Sequence, residues 1–189
     1  MKLEDDTVIQ AVKQWLESVV VGLNLCPFAK RELAKNRIRF SVTEAKTEEQ
    51  LLTALETELE LLSSDSCIET TLLIHPRILA NFDDYNQFLN YADGLLVQMK
   101  LEGIYQIASF HPNYQFDGTG PDDSENYTNR SPYPLLHLLR EESLERAIAD
   151  FPDVDQIPAR NIKLMHRLGR NRLRALLQSC LESAEKSTS

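Results

Sequence analysis

Four residue types in this chain are suited to react rather than only to pack. Cys26 precedes Pro27, and proline is favoured at the first position inside a helix, so a helix is expected from Pro27 to about Asn36 with Cys26 as its N-cap. A thiol there faces unpaired backbone N–H groups and the positive end of the helix dipole, which favours the nucleophilic thiolate. Lys30 and Arg31 lie one turn on, and Arg31 can add to an anion site. The plain alternative is a small buried cap with no reactivity. His75 and His111 each close an apolar run and each precede a proline. If both runs are parallel strands, both imidazoles reach the carboxyl edge of the sheet, where ligands bind in such folds. Histidine suits acid–base work and metal ligation near neutral pH. The plain alternative is a histidine that bonds a loop carbonyl. No cofactor is expected. The chain lacks a short His-x-His or His-x-x-x-His spacing, so a divalent metal on His75 and His111 is the weaker option.

The segment 113–131 is polar and rich in Gly and Asp, and a loop that long usually serves function or motion. Asn113, Tyr114, Asn126 and Asn129 offer hydrogen bonds, and Arg130 suits a clamp for a carboxylate or phosphate. Ser131-Pro132 reads as an N-cap and first turn, which would put Arg130 beside a helix start and His137 and Arg140 inside that helix. The plain alternative is a turn whose Asn and Ser side chains satisfy the backbone.

The elements that would position these groups follow from periodicity. Val8, Val12, Trp15, Leu16 and Val19 recur at helical spacing, so 7–22 reads as an amphipathic helix. Residues 37–44 alternate polar and apolar and read as a strand. Thr47 and Gln50 fit capping-box spacing at the head of a helix to about Leu62. Thr70–Ile74 and Ile104–Phe110 read as further strands, with a helix from Asp83 to about Leu101 between them. The expected fold is α/β, a small, mainly parallel three-stranded sheet (strand-helix-strand-helix-strand) with flanking N- and C-terminal helices. One domain over 1–189 is expected: N-terminal helices at 7–36, an α/β core at 37–112, the loop at 113–131 and C-terminal helices at 132–184. Those last helices are 132–140, 142–150 and a long one from 159 to about 184. The long one carries Arg160, Lys163, Arg167, Arg170 and Arg174 as one positive stripe, which suits the protein's own acidic surface or an acidic protein partner.

The 189 residues carry a net charge of −9 and are 42% hydrophobic, which allows a real core and argues against a nucleic-acid partner. Nothing approaches the roughly 18 apolar residues of a membrane span, the acidic start lacks a signal-peptide core, and no membrane partner is expected. The three cysteines (Cys26, Cys67, Cys180) are too far apart for a zinc ribbon or a disulfide framework, so a reducing cytoplasmic setting is expected.

The string Cys26-Pro27-Phe28-Ala29-Lys30-Arg31 resembles the Cys-Pro-Phe-x-x-Arg of omega-type glutathione transferases, over six residues only. The element order departs from a thioredoxin fold, because a long helix rather than a hairpin follows His75-Pro76. Three longer strings, Gly22–Ala29, Phe110–Phe116 and Glu125–Leu139, together resemble a bacterial family known as domain of unknown function number fourteen-fifteen. That resemblance implies a single-domain cytoplasmic protein and supplies no activity. From the residues, the expected function is an enzyme on a small anionic substrate. Cys26 would be the nucleophile and His111 the acid or base, with His75 beside it. Arg130 would bind the anion. The alternatives are a non-catalytic adaptor using the basic helix, and a two-histidine metal-binding protein.

Overall fold

A computed structural model describes residues 5–149 and 153–187. Asp150, the expected end of one helix, lies outside those residues, as does the end of the tail.

The first helical stretch forms as expected. Helix α1 (Asp5–Trp15) runs into a wider π-helical turn at Leu16–Val21. Gly22 closes it, donating its N–H to Glu17 five residues back. A side chain at 22 would run into the Ser18 carbonyl, so only glycine fits. Helix α2 (Ala29–Ala34) then leads to strand β1 (Ile38–Val42), helix α3 (Glu48–Ser64), strand β2 (Thr70–Ile74), helix α4 (Phe82–Gln98) and strand β3 (Tyr105–Phe110). Thr47 caps α3 by accepting from the Gln50 N–H, so the capping spacing was informative.

The next element corrects the sequence reading. Residues 132–140 are not a helix. Leu135–Arg140 is a fourth strand, β4, inserted between β2 and β3. The sheet order is β1-β2-β4-β3, with β1 and β2 parallel and both β4 pairings antiparallel. The sheet is therefore four-stranded and mostly antiparallel, not a mainly parallel three-stranded one. The α/β core does not close at 112, because 135–140 completes it. Leu-Leu-His-Leu-Leu-Arg has good helix propensity, and an apolar run this short does not distinguish a helix from a strand buried on both faces. Two flanking strands decide it by bonding both of its edges.

β1, β2 and β3 still run in one direction, and α3 and α4 cover one face together. Leu51, Leu55, Leu59 and Phe88 pack there on Leu73, Leu136 and Leu138. The other face carries α1 and its π turn against Leu72, Ile74 and Leu135. Helix α7 (Arg170–Ser187) packs on α1. Helices α5 (Glu141–Ala149) and α6 (Ile157–Leu168) precede it. The expected single helix over 159–184 is thus broken at Gly169, whose φ of +76° and ψ of 153° suit glycine alone. The basic stripe is divided with it. Arg160, Lys163 and Arg167 lie on α6, and Arg170 and Arg174 on α7. No helix among the described residues is long and apolar enough to cross a membrane.

Candidate functional site

The two His-Pro corners do reach the same edge of the sheet, and both imidazoles are fully buried there. His111 Nδ1 accepts from the Asn113 N–H at 3.0 Å. The proton therefore sits on Nε2, which donates to the Leu79 carbonyl at 3.0 Å. Both ring nitrogens are in use. His75 Nδ1 donates to the Ile78 carbonyl at 3.2 Å, and its Nε2 is sealed without a partner. The Tyr85 ring contacts both, with centroids 5.8 Å from His75 and 5.1 Å from His111. Burial pushes His75 down to about 4, and the neighbouring His111 adds to this. Burial also lowers His111, helped by the Arg130 charge. Two neutral imidazoles held by backbone groups are positioned to brace the edge, not to exchange protons with a ligand. The described residues gather no group of three or more His, Cys, Asp or Glu around them.

Above this edge lies a pocket of about 620 Å³. Asn81 and Asp83 line it from the start of α4, Asn113 and Gln115 from the turn after β3, Arg130 from the loop, and Arg170 and Arg174 from α7. The α4 terminus is already capped, since the Asn81 side chain accepts from the Asp83 and Asp84 N–H groups. The guanidinium groups therefore dominate the polarity. Arg130 Nε donates to the Tyr114 carbonyl at 3.2 Å, and its Nη2 to the Pro121 carbonyl at 2.7 Å. Its guanidinium lies 4.5 Å over the Tyr127 ring. Those contacts fix its direction, and its charge has no carboxylate partner among the described residues. Arg170 pairs with Asp122. Arg174 is exposed and has no partner among the described residues. Three guanidinium groups against the carboxylates of Asp83 and Asp122 give a positive pocket in a protein of net charge −9.

The other expected binding residues hold the loop together. Asn126 is fully buried. Its Oδ1 accepts from the Phe116 N–H at 3.0 Å and the Thr119 hydroxyl at 2.8 Å, and its Nδ2 donates to Gly120 at 2.8 Å. Asn129 Nδ2 donates to the Ser109 carbonyl at 3.1 Å, tying the loop to β3. The Tyr114 ring packs on Phe82 and Phe116 at 5.1 and 5.0 Å. Ser131 starts no helix, and its hydroxyl donates to the Tyr133 carbonyl at 2.7 Å.

Cys26 does not join this site. It is not an N-cap, because α2 begins two residues after Pro27 with Phe28 as its N-cap. The preceding segment is helical, so the strand–cysteine–helix order of a thioredoxin fold is absent here. Cys26 and Arg31 line a different pocket together with His137, whereas Arg31 pairs with Glu32 at 2.7 Å. Arg140, expected inside a helix, instead ends β4 and donates to the carbonyls of Leu62, Asp65 and Ile68. Sequence reasoning assigned Arg170 and Arg174 to a surface stripe and missed that they complete a pocket with Arg130. It also missed Asn81, although an N-cap sequence right after the β2 corner must lie at this edge.

A family model described as "Protein of unknown function (DUF1415)" matches residues 7–175. No curated protein and no solved structure matches the chain.

Proposed function

The chain belongs to the DUF1415 family, and we propose that it binds a small organic anion in the pocket lined by Arg130, Arg170 and Arg174. One observation carries this reading: three guanidinium groups from the loop and α7 line one pocket, and Arg174 has no partner among the described residues. Like charges in one cleft repel unless an anion joins them, and Arg is suited to bidentate contact with carboxylate or phosphate. The volume of about 620 Å³ exceeds the needs of a bare inorganic ion, and the Phe82 ring and Leu177 offer apolar contact to a carbon body.

The anionic ligand expected from the sequence is retained. The thiol and histidine chemistry expected with it is not part of this reading, because Cys26 lines another pocket and His111 has both ring nitrogens occupied. An acidic protein partner has less support. Gly169 divides the basic stripe, Arg160 donates to the Asn24 carbonyl at 2.8 Å, and Arg170 already has Asp122.

Calorimetric titration with pyrophosphate and with citrate tests the proposal. At least one should bind, and Arg174→Gln should weaken it roughly tenfold or more, the range for a lost charge-assisted hydrogen bond. Arg172→Gln, on the same helix but outside the pocket, should leave it unchanged. Failure of both anions to bind, or equal binding by Arg174→Gln, would reject the site.

A further inference from the structure

The second pocket, about 420 Å³, lies over the α1 face of the sheet and reaches from Phe110 to the end of the sheet away from the His-Pro corners. Ile38 and Thr70 at the starts of β1 and β2, and Leu139 near the end of β4, form its floor. Cys26 and Phe28 close one side and Leu144 of α5 another. Neither α2 nor α5 buries a residue of its own, so this part of the sheet face has only a light cover.

One polar group in this apolar wall is prepared for a ligand. The Thr70 hydroxyl donates to the Leu138 carbonyl, so it accepts from His137 Nε2 at 2.7 Å. That fixes the tautomer. His137 Nδ1 then carries a lone pair, and it has no hydrogen-bond partner among the described residues. Burial keeps the ring neutral. The wall has a second unsatisfied group, the indole N–H of Trp15, which is 2% exposed and has no acceptor. The Phe110 ring stands between the two, 5.4 Å from Trp15 and 6.2 Å from His137. Charges in the lining balance two against two: Glu32 pairs with Arg31 and Arg37, Glu69 pairs with Arg37, and Arg140 is turned to the carbonyls of Leu62, Asp65 and Ile68. An ionic ligand would find no net charge there.

We propose that this pocket binds a neutral, largely apolar small molecule whose hydroxyl or N–H donates to His137 Nδ1. The site is separate from the anion pocket and does not depend on it.

Trp15 is the only tryptophan in the chain and lines the pocket, so its emission reports occupancy. The probes are 1-decanol, its methyl ether and decanoate. Decanol should shift Trp15 emission saturably. It should also slow maleimide labelling of Cys26 while leaving the exposed Cys67 unchanged. The ether has no donor and should bind about tenfold more weakly. Decanoate should be weaker still, because its carboxylate is desolvated against a lining of no net charge whose one carboxylate-free guanidinium, Arg140, is already bonded to carbonyls. Ala147→Phe, on the α5 side of the pocket, should abolish the decanol response without touching the sheet. An ether as tight as the alcohol would overturn the role of His137. Decanoate tighter than decanol would overturn the neutral ligand. No response to decanol, or an emission shift that follows protein concentration without any ligand, would overturn the pocket itself, the last by showing a second copy over it.

Discussion

At the scale of single residues, His111 shows how a reactive side chain becomes a structural one. Imidazole has one donor and one acceptor when neutral, and both are matched to backbone groups from different segments. Removing it leaves the Leu79 carbonyl and the Asn113 N–H buried without partners, along with the space of a ring. His111→Ala should therefore cost about 3 kcal/mol of stability, read as a lower urea midpoint. A variant as stable as the parent would return His111 to the list of functional groups. Asn126 has the same character. Its three bonds organise the loop that carries Arg130, so Asn126→Ala should lower stability by about 2 kcal/mol and weaken pyrophosphate or citrate binding at a distance. Normal binding in that variant would mean the loop does not hold Arg130 in place.

At the scale of elements, helices α1, α3 and α4 and three of the strands were legible because their cues are local. Thr47 with Gln50 marks a helix start, and β-branched residues mark β2. The strand β4 was not legible, since its identity depends on β2 and β3, which are far away in sequence. For the same reason the pairing of Arg130 with Arg174 was hidden. The carboxyl-edge position of His75 and His111 was readable from strand direction, but their saturation by Ile78, Leu79 and Asn113 was not. Gly169 was readable in principle, as a glycine in mid-helix, and the structure gives its reason: its backbone angles exclude a side chain. Gly169→Ala should cost about 1–3 kcal/mol and, by shifting the start of α7, weaken anion binding through Arg170 and Arg174. Gly94→Ala is the opposite case. Gly94 lies within α4 with open space around it, so alanine there should add up to about 1 kcal/mol. Thermal melts of the two variants should move in opposite directions, and a shared sign would refute the backbone reading of Gly169.

At the scale of the whole molecule, both layers contain a neutral histidine, His75 fully buried and His137 half-buried against a pocket. His75 stacks on Tyr85 on the α3–α4 side, and His137 lies with Phe110 on the α1 side. Each is pushed down to about 4 from an ordinary value of 6.5, in both cases chiefly by burial. As pH falls through about 6.5, the unfolded chain takes up these protons and the folded chain does not. The folded state is therefore favoured fully above that pH and loses the advantage as pH falls toward about 4. One fully sealed histidine with this shift accounts for about 2 kcal/mol between pH 6.5 and 5. His75 meets that description, and His137 adds in the same direction. Urea midpoints should fall steadily between pH 7 and 5, before most carboxylates titrate. Because the sheet joins both layers, one transition should report both histidines. His75→Leu should keep a single transition with a shallower pH slope. A flat midpoint over that range, or an unchanged slope in His75→Leu, would show that protons enter the folded core without disrupting it.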